Sequence, residues 1–272
     1  MDWSYLLGGT EEDKSSDIST DSQDNVIITG VTSSSDFPRL NSQSSFTNLT
    51  SKNAFLTKFL PDGSIVWSKL LGGNDIDKAN GLSVDSQDNI IFTGITLSND
   101  FPVLNAYDSS PNLYMDAFLS KVAPNGDLLW STYLGGSYAD HGNSIAIDTQ
   151  DNIAVVGTTY SSDFAEDTAL GGTFIVGGSA YIVKFFPNGS QIILKQRFSG
   201  RNGAFGSIVT FDSMDNMLIS GTTPSADFPT LNAYNSTISG SSDTFLLKLS
   251  QDNSLLWSTF LGGIGEETQI CP

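Results

Sequence analysis

Short runs of alternating apolar and polar residues recur along the whole chain. In one representative stretch they are Gly81 to Val84, Ile90 to Thr96, Ala117 to Val122, and Leu128 to Leu134. The runs are rich in β-branched and aromatic residues and end at Asn, Asp, Gly or Pro, which is the signature of half-buried strands. No stretch keeps a helical period. Between the runs, Asp85-Ser-Gln-Asp-Asn89 and Pro124-Asn-Gly126 predict tight hairpin turns. A longer connection from about Thr96 to Asp116 carries Asp100-Phe-Pro102.

The pattern is periodic. Trp-Ser-x-x-Leu-Gly-Gly begins at Trp3, Trp67, Trp130 and Trp257, with a degraded copy from Leu194 to Gly200, so the steps are 64, 63, 64 and 63 residues. Asp21-Ser-Gln-Asp-Asn25 returns unchanged from Asp85 and in altered form from Asp148 and Asp212. Asp-Phe-Pro at Asp36, Asp100 and Asp227 keeps the same phase, as does Asp163-Phe with Ala165 in place of proline. A fixed period of this length identifies a repeat architecture. Four antiparallel strands per unit of about 63 residues predict an all-β fold of β-propeller blades. A solenoid would have a shorter period, and sandwich domains need more residues each.

Composition narrows the function classes. The 272 residues hold 30 acidic against 12 basic side chains, a net charge of −18. Such a surface repels nucleic acid and anionic membranes and suits cations. Cys271 is the sole cysteine, which excludes an intrachain disulfide. No apolar run reaches the length of a membrane span. The sequence opens Met-Asp-Trp and carries no signal peptide as it stands. Sequons fall at Asn48, Asn188 and Asn235.

Several residue sets are candidates for chemistry. Asp21 with Asp24, Asp85 with Asp88, Asp148 with Asp151, and Asp212 with Asp215 would ring one mouth of a central channel. Such carboxylates can supply oxygens to calcium. Equally, Asp and Asn close turns through side-chain bonds to the backbone, and this reading is favoured. Asp13, Asp77 and Asp140, with Ala204 in the fourth copy, would lie at the opposite mouth. His141 is the sole histidine and occupies a slot held by Lys14 and Lys78, so a solvated polar role is expected. Trp3, Trp67, Trp130 and Trp257, one per repeat, read as packing between blades rather than sugar-stacking platforms. The fourth unit diverges, with Leu194 for Trp, Phe198-Ser-Gly200 for Leu-Gly-Gly, and Arg197 and Arg201 nearby.

Trp130-Ser-Thr-Tyr-Leu-Gly-Gly136, Ile145 to Ile153, Asp116 to Gly126 and Gly221 to Pro229 together resemble the SBBP, or seven-bladed β-propeller type, repeat family. The resemblance runs over essentially the whole chain. It implies large bacterial or archaeal proteins, secreted or at the cell surface, without a fixed catalytic reaction. It also implies that the Gly81 to Asp85 type of strand is innermost and the Trp-Ser strand outermost. One propeller domain over 1–272 is then expected, with blades at about 10–73, 74–136, 137–200 and 201–263. Residues 1–9 would be a surplus N-terminal outer strand and 264–272 the truncated start of a fifth unit. The expected function is a non-catalytic extracellular or surface module for adhesion, scaffolding or self-assembly, through loops and strand addition. Its partner would be a protein, a surface glycan or itself, with calcium as the candidate ion. The competing readings are a hydrolase or lyase acting on polysaccharide at a channel mouth, and a filament subunit.

Overall fold

The computed structural model describes residues 3–41, 51–164 and 177–265. Asn48, Ala165 and Cys271 lie outside them. The described residues form sixteen strands and no helix. They make four antiparallel sheets, each a simple up-and-down meander of four strands. The first sheet is β1 (Asp13–Thr20), β2 (Val26–Thr32), β3 (Asn53–Phe59) and β4 (Ile65–Leu71). The second is β5 (Asp77–Val84), β6 (Ile90–Thr96), β7 (Asp116–Val122) and β8 (Leu128–Leu134). The third is β9 (Asp140–Ile147), β10 (Ile153–Thr159), β11 (Ser179–Phe185) and β12 (Ile192–Phe198). The fourth is β13 (Phe205–Phe211), β14 (Met217–Thr223), β15 (Asp243–Leu249) and β16 (Leu255–Leu261).

The chain divides into two compact units, Met1–Leu134 and Gly135–Pro272, each holding two sheets. In the first unit, one core joins Ile27, Leu56 and Trp67 of the first sheet to Leu82, Phe92 and Phe118 of the second. Strand β5 lies against β1, β2 and β3. The second unit repeats the plan. Val156, Ile182 and Phe198 pack with Val209, Ile219 and Phe245, and β13 lies against β9, β10 and β11. Burying apolar area at roughly 25 cal/mol per Å² makes this sheet-on-sheet contact the main source of cohesion.

Two sequence expectations need adjustment. The first strand of each unit is longer than its apolar run suggests. In β5, a bulge between Ala79 and Gly81 lets pairing continue down to Asp77 opposite Thr96. The bulge resets the alternation, so the polar start of the strand does not read as strand. The second adjustment concerns Trp3 to Leu7. This segment, expected as a surplus outer strand, joins no ladder among the described residues.

Each sheet carries one glycine that its geometry demands. At Gly94 an added Cβ would lie 1.9 Å from the carbonyl oxygen of Lys78, and at Gly30 it would lie 2.0 Å from that of Lys14. Gly157 and Gly221 meet the carbonyls of His141 and Phe205 in the same way. The backbones of the first two strands of each sheet approach too closely for any side chain. Gly94→Ala is therefore expected to lower stability by about 3 kcal/mol or more, in the upper range for overpacking. A urea melt checks this, and an unchanged midpoint would contradict it.

Candidate functional site

The Asp-x-x-Asp-Asn turns connect the first two strands of each sheet. In the second sheet, Asp85 Oδ1 accepts hydrogen bonds from the backbone N–H of Gln87 (2.9 Å) and Asn89 (2.8 Å), and the Asn89 amide adds another. Asp21, Asp148 and Asp212 repeat this arrangement. The fourth turn residue takes a left-handed backbone, with φ between 55 and 62° at Asp24, Asp88, Asp151 and Asp215. Asp and Asn tolerate that conformation, so local chemistry alone accounts for these residue types.

The same carboxylates also meet a cation supplied by the fold. Lys121, on the third strand, places its ammonium 2.7 Å from Asp85 Oδ2, with both side chains buried. Lys58 pairs with Asp21 at 2.7 Å, Lys184 with Asp148 at 2.8 Å, and Lys248 with Asp212 at 2.6 Å. Burial works to raise the Asp21 pKa, but Lys58, the Asn25 amide and the turn N–H groups outweigh it and hold the carboxyl at about 2. Asp85 and Asp148 are lowered against the same opposing burial. Asp212 is lowered chiefly by Lys248. Sequence reasoning missed these lysines. The available signal was a Lys at one fixed position in all four copies of a chain that holds only 12 basic residues.

The second Asp of two of these pairs points elsewhere. Asp88 accepts hydrogen bonds from the N–H and hydroxyl of Ser22, both 2.8 Å, in the preceding turn. Asp215 holds the N–H of Thr149 at 3.1 Å and also bonds its hydroxyl. In the second and fourth sheets the two carboxylates of the turn therefore serve different partners, one inside its own sheet and one toward the neighbouring sheet of the same unit. Among the described residues, no group of three His, Cys, Asp or Glu side chains could hold a metal ion.

The other carboxylate set clamps the Gly-Gly connector that enters each sheet. Asp77 Oδ2 accepts the Gly73 N–H at 2.7 Å and the Ser98 hydroxyl at 2.9 Å. Asp100 of the Asp-Phe-Pro segment accepts the next N–H, from Asn74, at 2.7 Å. Asp13 with Asp36 and Asp140 with Asp163 act identically on Gly9-Thr10 and Gly136-Ser137. The fourth copy has Ala204 at this position and solves the problem differently. There the Gly203 carbonyl accepts the hydroxyls of Thr223 and Ser225, while Asp227 still holds Arg201 N–H. Phe of the same segment is an anchor. Phe37, Phe101, Phe164 and Phe228 lie buried against Phe55, Phe118, Tyr181 and Phe245, with ring centroids 4.4–4.8 Å apart.

Beyond that anchor the long connections turn outward. Leu40, Leu104 and Leu231 each bridge the last strand of their sheet at Ser68, Ser131 and Ser258, capping part of a sheet edge. The loops then present Leu113, 98% exposed, and Tyr234, 94% exposed. Trp67 is buried, and its indole N–H donates to the Pro124 carbonyl at 3.0 Å in the next sheet, the packing role expected of it. His141 is half-buried with its ring edge toward Tyr160. Arg197 is buried in β12, and the exposed Arg201 pairs with Asp227.

Two segments, residues 66–102 and 129–165, match the SBBP β-propeller repeat. Each spans the last strand of one sheet, the Gly-Gly connector, and the first two strands of the following sheet. The chain is 27% identical over 220 residues to an uncharacterised WD repeat-containing protein of Acanthamoeba polyphaga mimivirus. That alignment takes in 69% of this chain and 15% of the relative's length. Among solved structures, a gluconolactonase of Xanthomonas campestris aligns with a TM-score of 0.44 and 13% identity, over 92% of this chain and 62% of its own.

Asp77 gives the clamp a pH signature. Burial raises its pKa from 3.8 to about 6, against the hydrogen bonds from Thr96, Gly73 and Ser98. The folded protein then holds a proton that the unfolded chain releases above about pH 4. Stability is fully present below that pH and falls as pH rises through 6, by on the order of 2–3 kcal/mol. Asp77→Asn keeps an acceptor oxygen and removes the charge. Urea melts from pH 4 to 7.5 should show this decline in the wild type and its loss in the variant. Parallel pH profiles would contradict it.

Proposed function

We propose that this chain, which carries SBBP β-propeller repeats, is a non-catalytic binding module that works through its loops on a rigid set of blades. The single observation behind this reading is the duplication of carboxylate duties. In each copy one Asp closes the first turn against a lysine, in two copies a second engages the preceding turn of the same unit, and in three copies another clamps the Gly-Gly connector. A hydrolase or lyase needs carboxylates held apart in pKa at one asymmetric place. Asp77 does have a raised pKa, but it is buried in a position that Asp13 and Asp140 also fill. Its environment is that of a structural acceptor.

Binding surface is instead concentrated on the long connections. Leu113 and Tyr234 reach into solvent from loops whose bases are fixed by buried phenylalanines. Rigid support beneath variable apices is the usual arrangement for recognition loops. The family resemblance favours an extracellular or cell-surface setting, with a surface glycan or a protein as partner. Calcium is not required for charge balance in the turns, because the lysine ammoniums already neutralise the inner carboxylates.

Incubation with a panel of bacterial surface polysaccharides tests this reading, with co-sedimentation and released reducing ends followed together. Binding without turnover is expected. Leu113→Ser combined with Tyr234→Ser should weaken it at least tenfold while leaving the melting temperature in place, and chelation of calcium should not shift the melt. Release of reducing ends that disappears in an Asp variant would establish the enzyme instead.

A further inference from the structure

The first and third sheets differ at one row of side chains. In the first sheet Glu12, Ser33 and Lys52 lie side by side, just beyond Asp13, Thr32 and Asn53, which pair across β1, β2 and β3. The Ser33 N–H donates to the Glu12 carbonyl at 2.9 Å. The Glu12 carboxylate pairs with Lys52 at 3.0 Å and with Lys14, two residues along its own strand, at 2.6 Å. The third sheet keeps this backbone, with the Tyr160 N–H on the Ala139 carbonyl at 2.9 Å, and replaces every side chain. Ala139 stands for Glu12, Tyr160 for Ser33, Gly178 for Lys52 and His141 for Lys14. At the head of the following sheet, Asn202 stands for Asp75. Four charged positions of the first unit are thus neutral or a histidine in the second, and a tyrosine is added among them.

The new residues hold the tyrosine ring as a shelf. Its row neighbours are the two smallest side chains, alanine on one strand and glycine on the other. Gly178 has φ 86°, and a Cβ there would lie 3.1 Å from the Tyr160 ring and 3.3 Å from the Thr158 methyl. The ring therefore leans on bare backbone. His141 meets it edge-on, with centroids 6.3 Å apart and planes at 61°. Propped in this way, Tyr160 is still 38% exposed. The head of the fourth sheet, in the same unit, reaches this corner as well. The Ala204 N–H donates to the Gly178 carbonyl at 3.3 Å, and a Cβ on Gly177 would lie 2.8 Å from the Asn202 carbonyl oxygen. Asn202 is exposed beside the shelf.

We propose that this corner is a binding subsite for a neutral, β-linked sugar chain. Tyr160 is the platform for one pyranose face, and its hydroxyl and the Asn202 amide are the hydrogen-bonding groups at the rim. The axial C–H groups of a β-linked hexose form an apolar, weakly positive surface, which suits the negative face of an aromatic ring. Removal of both lysines takes away the cations that would hold a carboxylate or phosphate. The net charge of −18 repels anionic sugars further. This inference rests on the surface-glycan reading above for its ligand class, but it uses none of the residues that reading relies on.

His141 is the sole histidine, so its ring C–H signals in a proton NMR spectrum of the untagged chain report on this corner alone. Titration with cellotetraose and with chitotetraose at constant pH should move those signals saturably. Tyr160→Ser, which gives the row the side chain of Ser33, should weaken binding about tenfold and leave the melting temperature in place. Tyr160→Phe keeps the platform and should bind close to the wild type. Leu113→Ser combined with Tyr234→Ser should leave this titration unchanged, so the loop-binding reading fails or holds separately. His141 signals that neither sugar moves overturn the proposal, as does equal affinity in Tyr160→Ser. Choline moving them at lower concentration than either sugar also overturns it, because that result identifies a cage for quaternary ammonium. The wild-type titration decides the matter even if a substituted chain folds poorly.

Discussion

A carboxylate taken out of water must be met by a cation or by several donors, and much of this protein is arranged around that requirement. Charge burial without compensation costs several kcal/mol. Each repeat buries or half-buries one Asp at the turn between its first two strands and compensates it with two backbone N–H groups, an Asn amide and a lysine from two strands away. The lysine links the first strand's end to the third strand, so strand order and turn geometry are fixed together. Because the pair is repeated in every sheet, it restricts register four times over.

The second carboxylate system carries the chain from one sheet to the next. A Gly-Gly connector leaves the last strand of a sheet and is gripped by an Asp at the head of the following sheet and by the Asp of Asp-Phe-Pro. The adjacent Phe is buried in its own sheet, so one short segment fixes the connector and the base of the long loop together. The fourth copy supports this account by its exception. Without an Asp at Ala204, a backbone carbonyl takes over the hydroxyls that Asp receives elsewhere. Asp77 shows the cost of the design, since its burial leaves it with a raised pKa.

The repeat, the strand count and the turns were legible from sequence because each depends on neighbours in the chain. Alternation marks Ile90 to Thr96, and Asp-x-x-Asp-Asn marks the left-handed residue at Asp88. Contacts between strands distant in sequence were not legible. Lys121 meets Asp85 only because β5, β6 and β7 lie side by side, and no local pattern states that order. Asp85 and Asp88 read as turn residues from their spacing, but that the fold turns them toward different partners was not legible. Trp3 to Leu7 read as a strand because its residues match those of true outer strands.

The claim that these carboxylates are structural groups held by internal lysines is tested most directly by a double-mutant cycle on Asp85 and Lys121. Asp85→Asn, Lys121→Met and the double variant would be compared by urea denaturation at pH 7. Removing one partner of a buried pair strands the other, so each single substitution should cost about 3 kcal/mol or more. The double variant should recover a large part of that loss, leaving a coupling energy above roughly 2 kcal/mol. Additive effects, with coupling near zero, would contradict the account.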